Sequence, residues 1–302
     1  MPDGVGAESW TAMTPRTATL IGLSAILMWS LLAVLTVATG RIPAFQLLAV
    51  TFAIGAVVTS ANWIRHPAAF GTLRQPPLVW LVGVGGLFGY HALYFVALRL
   101  APPAEAGLLN YLWPLLIVLL SSALPGERLA SHHIIGAVLG LAGTVLLLSG
   151  NAATHFEPAH SAGLAAAFVA AFVWAGYSVM SRKLKAVPTE AVAGFCLVTA
   201  LLALAVHLIF EVSIWPDSLG QWLAIAALGV GPVGIAFYTW DIGMKRGDIR
   251  VLGAASYATP LLSTAFLILA GFAVPSANIA LAAALIAGGG LIAAKDMIWR
   301  RG

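Results

Sequence analysis

Apolar residues gather along this chain in ten long, almost charge-free stretches separated by short polar or Pro/Gly-rich breaks. The stretches run from about 18 to 39, 44 to 63, 78 to 98, 104 to 124, 131 to 150, 161 to 181, 190 to 210, 219 to 240, 248 to 270 and 276 to 298. Each approaches the roughly 20 residues that a helix needs to cross the hydrocarbon core of a bilayer. The breaks are helix enders: Gly40 to Pro43, Pro76-Pro77, Pro102-Pro103, Pro125-Gly126, Pro216 and Pro275. The pattern predicts an all-α integral membrane protein with ten transmembrane helices, a cytoplasmic leader over 1–17 and a short cytoplasmic tail over 299–302. The first stretch follows Arg16 as a signal peptide would, but it is too long for one and nine more follow. Residues 1 to 15 show no periodicity, and Met13 offers a second start.

Composition agrees: 61% of the residues are hydrophobic and 9% charged, against about 45–50% and 25% in soluble domains, which excludes a water-soluble enzyme. The net charge of +4 has to be read by position rather than as a nucleic-acid signal. With a cytoplasmic start, Arg16, Arg65, Arg74, Arg128, Arg182, Lys183, Lys185, Lys245, Arg246, Arg250, Lys295, Arg300 and Arg301 fall inside, and only Arg41 and Arg99 outside. That bias predicts a multi-pass membrane protein with both termini in the cytoplasm. The single Cys196 permits neither an internal disulfide nor a multi-thiolate metal site. The glycines have no following strand or Walker lysine, so no nucleotide or other cofactor is expected.

The two halves of the chain echo each other. Tyr111 to Leu116 reads YLWPLL and Tyr257 to Leu262 reads YATPLL, 146 positions later, with Leu139 matching Leu285 and Gly143 matching Gly289 at the same offset. Trp29 matches Trp174, and Pro43 matches Pro188, at an offset of 145. The expected organisation is two repeats, 18–150 and 161–298, of five helices each. Five is odd, so the second repeat enters the membrane from the opposite side, and the pair encloses a central cavity between inverted halves. Loop charges fit: one base lies near Arg99, against Lys245, Arg246 and Arg250 at the corresponding turn.

Trp29, the run FVALRLAPPAEAGLLNYLWPLL from Phe95, the Glu127-Arg128 pair, glycines 136, 140 and 143, and the weaker echo around Trp174 and Tyr257 to Pro260 resemble the drug/metabolite transporter superfamily in its ten-helix EamA-type branch. The resemblance covers about 18 to 298. Within the branch, the segment YHALYFVAL is similar to exporters of the YddG type, which implies export of aromatic amino acids. Two departures stand out: a basic residue common early in the second helix is replaced by Thr51 or Phe52, and the second repeat lacks the Glu after its fourth helix.

Among the aromatics, Trp63, Trp80, Trp215, Trp222 and Trp299 sit near span ends, where an interfacial belt accounts for them. Trp29, Tyr90, Tyr111, Trp113, Trp174 and Tyr257 fall at mid-span, where an indole N–H or phenol O–H needs a partner. Tyr90 and Tyr94 share a helix face. Helix packing with a local hydrogen bond would explain any one of them; their concentration in helices that the resemblance places around a cavity points to substrate contact. Tyr111 and Trp113 would point about 160° apart on a regular helix, but Pro114 removes a donor and frees the carbonyl of Asn110, as Pro260 does for Ser256. These prolines are expected hinges, and Asn110 with the broken backbone would hold a zwitterion.

His91 is the ionisable residue at depth, either a substrate or proton ligand or a donor across a helix interface. His207 reads as interfacial. Asp241 reads as a surface pair with Lys245 at i+4, and Glu105 as a carboxylate suited to a helix start. The expected function is a secondary transporter exporting amino acids, its partners a small-molecule substrate and the lipid bilayer, working as a monomer. An exporter of cationic drugs drawn to an aromatic cage and a non-transporting membrane sensor are the alternatives. An embedded enzyme would rest on His132-His133 alone, adjacent residues about 100° apart on a helix.

Overall fold

A computed structural model describes residues 13–61, 63, 67–149, 158–269, 271 and 276–299, and among these all regular structure is helical. Residues 1–12 of the expected leader, 300–302 of the tail, Gly150, and the basic residues Arg65, Arg300 and Arg301 lie outside the described residues. The first apolar stretch forms α1 (Pro15–Trp29) and α2 (Leu32–Ala38). It begins ahead of the expected residue 18, because Thr14 caps it by accepting the N–H of Thr17 at 3.2 Å and Pro15 supplies a preset first-turn φ. The second forms α3 (Ala44–Thr59). The third is α4 (Pro77–Val84), a wider π turn at Gly85–Gly89, and α5 (Tyr90–Leu100). The fourth is α6 (Pro103–Asn110) and α7 (Trp113–Ser121), and the fifth α8 (Ser131–Ser149).

The second half contains α9 (Ser161–Lys183) and α10 (Ala191–Phe210), followed by α11 (Leu219–Leu228), a π turn at Gly229–Ile235 and α12 (Ala236–Arg246). It ends with α13 (Ile249–Ala255), α14 (Ala258–Leu269), α15 (Ala277–Ala293) and the short α16 (Lys295–Trp299). Among the described residues, seven continuous helical runs are long and apolar enough to cross a bilayer; the second, fourth and tenth stretches form shorter apolar helices, Ala44–Thr59, Glu105–Ser121 and Ala277–Ala293.

The exterior is inverted relative to a soluble protein. Leu20, Leu81, Leu201, Leu208, Ile209 and Leu291 are more than half exposed, as suits helices whose outer faces meet hydrocarbon. Packing is most extensive between α8 and α15, α3 and α10, α1 and α12, and α5 and α9. The α8–α15 crossing depends on missing side chains: a Cβ on Gly136 would lie 2.5 Å from the carbonyl oxygen of Gly289, so no larger residue fits without separating the helices. The core lies between α1, α7, α9 and α12, where Trp29, Trp113, Trp174 and Trp240 are all buried.

Candidate functional site

Above that core is a cavity of about 180 Å³. Three local departures from regular helix shape it. The π turn at Gly85–Gly89 precedes Tyr90, His91 and Tyr94, which α5 turns into the cavity. The fourth stretch breaks at Tyr111-Leu112, ahead of Pro114; the break lets Asn110, Tyr111 and Trp113 all line one cavity, which an uninterrupted helix would forbid for the last two. The second π turn, containing Pro232, brings Pro232 and Val233 to the opposite wall. Its Pro232 carbonyl accepts the indole N–H of Trp29 at 2.9 Å, so this mid-span donor is satisfied inside the protein.

The walls are rings meeting at edges and faces. Trp29 contacts Trp174 at 5.5 Å and Trp240 at 5.0 Å between centroids, and Trp113 stands perpendicular to Trp29 at 6.5 Å. Tyr90 and Tyr94 lie nearly parallel at 6.1 Å, and Tyr90 also meets Trp174 at 5.3 Å. Asn110 donates from Nδ2 to the Tyr90 hydroxyl at 3.1 Å, while its buried Oδ1 has no protein partner. His91 places Nδ1 2.6 Å from the Leu87 carbonyl; a carbonyl only accepts, so the ring proton sits on Nδ1 and a neutral His91 keeps Nε2 as an acceptor. Among the described residues lining the cavity there is no Asp, Glu, Lys or Arg.

Eight of the nine expected contact residues, Trp29, Tyr90, His91, Tyr94, Asn110, Tyr111, Trp113 and Trp174, line this cavity. Tyr257 does not. It is fully buried against Gly140, and its hydroxyl accepts the Leu115 N–H at 3.1 Å, a donor stranded at the α6–α7 break, so its mid-span hydroxyl is used for packing. Nor does Pro260 free the Ser256 carbonyl: the helix breaks earlier, at Ser256-Tyr257, and that carbonyl accepts the Thr259 N–H at 3.0 Å. Phe237 and Thr259 line the cavity, with Trp240 beneath the rings, and none was expected. The repeat was the available signal for Phe237 and Trp240, since the eighth stretch is the counterpart of the aromatic third.

The charged residues beneath the cavity also differ from expectation. Asp241 and Lys245 pair at 2.7 Å, but both are buried rather than at the surface. Asp241 also accepts from Thr189 Oγ1 at 2.7 Å, and Lys245 donates to the Val187 carbonyl at 2.8 Å, which ties the α9–α10 loop to α12. Just above them Trp240 donates to Ser178 Oγ at 3.1 Å. Glu127 pairs with Arg182 at 2.6 Å and Arg250 at 3.6 Å; Arg182 also donates to the Met244 carbonyl and Arg250 to that of Arg128. Burial by itself would raise the Asp248 carboxyl, but the Arg250 guanidinium and the N–H groups of Arg250 and Val251 outweigh it and hold it below the usual carboxylate range.

At the other end, His207, in the last turn of α10, is buried within the protein, bonding Glu211 at 3.0 Å and Ser213 at 2.9 Å. Glu211 in turn accepts the N–H groups of Phe45 and Gln46 at the start of α3. Glu105, at the start of α6, is also buried, with His160 Nδ1 4.0 Å away. His132 and His133 converge with Asp296, their rings 4.1 Å apart. His133 Nδ1 accepts the Ala130 N–H, which puts the ring proton of a neutral His133 on Nε2, making that atom a donor rather than a metal ligand.

Comparison with known proteins adds an independent finding. The model of a family described as the EamA-like transporter family matches residues 16–149 and 161–295. An aromatic amino acid exporter YddG from Ancylobacter novellus is 57% identical over 93% of this chain and 98% of its own length. The exporter of the same name from Escherichia coli K12 is 26% identical over 84% of this chain and 88% of its own length. A crystal structure of a protein with 56% sequence identity superposes with a TM-score of 0.90, covering 95% of this chain and 99% of that one.

Proposed function

This chain belongs to the EamA-like transporter family, and from that premise we propose that it exports aromatic amino acids from the cytoplasm by alternating access between two inverted five-helix halves. Its family and relatives are transporters, not enzymes. The observation that carries the substrate class is the cavity itself: a set of mid-span Trp and Tyr rings with no charged side chain among the described lining residues, joined to an amide oxygen without a protein partner at Asn110. Ring edges and faces suit a flat aromatic side chain. Neutral hydrogen-bonding groups suit an ammonium and a carboxylate that neutralise each other. The 57% identical relative is named for the same class of cargo.

The ten-span, inverted arrangement has its own support. The family matches the chain twice, over stretches of nearly equal length. Both halves carry a π turn in the third of their five stretches and a break in the fourth. Exchanging the halves leaves the α8–α15 and α3–α10 pairings in place and interconverts α5–α9 with α1–α12, as a two-fold axis in the membrane plane requires. In the orientation set by the basic residues, both termini lie in the bacterial cytoplasm and the Trp240–Ser178 contact closes the cytoplasmic side of the cavity. The unit works as a monomer in the lipid bilayer, with both halves of the site in one chain.

The test is flux of labelled tryptophan and phenylalanine in proteoliposomes, with and without a pH gradient. Wild type should move both, and Tyr90→Ala, Tyr94→Ala and Trp113→Ala should lose most of that flux while remaining folded. Insensitivity to the gradient would identify uniport, as expected for a cavity without an acid. The aromatic walls also favour a second reading, export of organic cations by cation–π attraction. A tetraalkylammonium ion that crosses while tryptophan does not would replace the first reading with the second.

A further inference from the structure

We propose that Thr259 is a specificity residue that, with Asn110, receives the α-ammonium group of the substrate, one ligand group from each half of the chain. The proposal rests on the export reading above. In a helix, a threonine hydroxyl ordinarily donates to a carbonyl one turn back, and several threonines of this chain do so. Thr51 bonds the Leu47 carbonyl at 2.8 Å, Thr59 that of Gly55 at 2.7 Å and Thr264 that of Pro260 at 2.9 Å. Thr259 lies just past the Ser256-Tyr257 break, and there its backbone N–H bonds the Ser256 carbonyl. Its own Oγ1 is buried with no protein partner, and it lines the cavity.

Thr144 and Thr199 are also buried and unpaired, but they do not line the cavity. Among the described residues, two fully buried oxygens without a protein partner belong to residues lining the cavity, Asn110 Oδ1 and Thr259 Oγ1. A buried polar atom without a partner is costly, and these two sit on residues of the cavity wall. With no carboxylate among the cavity's described residues, an ammonium group must find neutral acceptors, and an amide oxygen and a hydroxyl are suitable ones. Because the two oxygens come from opposite halves, bound substrate would link the parts that must move relative to each other.

The experiment compares tryptophan with its deaminated analogue, indole-3-propionate, each competing against labelled tryptophan for purified protein in detergent. Thr259→Val keeps the branched shape and removes the hydroxyl. It should weaken tryptophan about tenfold and leave the inhibition constant of indole-3-propionate unchanged. Thr259→Ser, which restores a hydroxyl, should recover most of the tryptophan affinity and so separates recognition from misfolding. Equal weakening of both compounds, or no weakening of tryptophan, overturns the assignment while leaving the export reading standing. A wild-type protein that binds neither tryptophan nor phenylalanine overturns both.

Discussion

A mid-membrane aromatic ring can serve a ligand or the fold, and the two uses separate by partner. Trp29 and Trp240 have satisfied indole donors, on Pro232 and Ser178, so their contribution to the cavity is ring surface. Tyr257 has no access to the cavity and gives its hydroxyl to a stranded backbone N–H. Tyr257→Phe is therefore expected to cost about 1–3 kcal/mol of stability, seen as a lower melting temperature in detergent, with tryptophan affinity retained. A loss of affinity at unchanged stability would return Tyr257 to the binding site. Mid-span position identified a polar tip needing a partner in each case; which partner depends on a residue 142 positions away for Tyr257 and 203 for Trp29.

At the scale of elements, breaks and buried ions do what regular helices cannot. The π turns and the Tyr111-Leu112 break point side chains of neighbouring residues into one volume, and Pro114 and Pro232 explain why the ladder can open at the break and at the second π turn. The Asp241–Lys245 pair fastens α12 to the α9–α10 loop. Desolvated pairs are expensive to break from one side only. Asp241→Asn and Lys245→Met should each cost about 3–5 kcal/mol, whereas the double variant should recover a large part of that loss. Thermal denaturation of the four proteins forms the cycle, and additive losses would show that the two side chains act independently.

At the scale of the whole molecule, Glu127 joins parts that alternating access must separate. Its carboxylate holds Arg182 at the end of α9 and Arg250 on α13, and Arg182 reaches α12. These ties lie on the side closed by Trp240, so Glu127→Gln should shift the population toward a state open there. A cysteine at Ser181, which lines a narrow gap beneath the seal with Asp241 and Lys245, reports it. The shift should raise the labelling rate of Ser181→Cys by a membrane-impermeant maleimide severalfold, against a background in which native Cys196 is buried. An unchanged rate would mean that Glu127 stabilises the fold without biasing the two states.

The positions of the apolar stretches, the internal repeat and most of the aromatic lining were legible in the chain alone. Burial in hydrocarbon demands long charge-free helices, and a duplicated sequence keeps its marks at a fixed offset. Trp29, Tyr90, Tyr94, Tyr111, Trp113 and Trp174 could be picked out because a ring with a polar tip at mid-span needs a specific partner. Only the tertiary structure decided who that partner is. Periodicity gives the direction of a side chain from its own helix axis but carries nothing about the helix facing it. That is why Tyr257 was placed at the cavity, Thr259 and Phe237 were passed over, and the Asp241–Lys245 pair was assigned to the surface: each depends on a contact between segments distant in sequence, and on a helix break whose geometry is settled by packing.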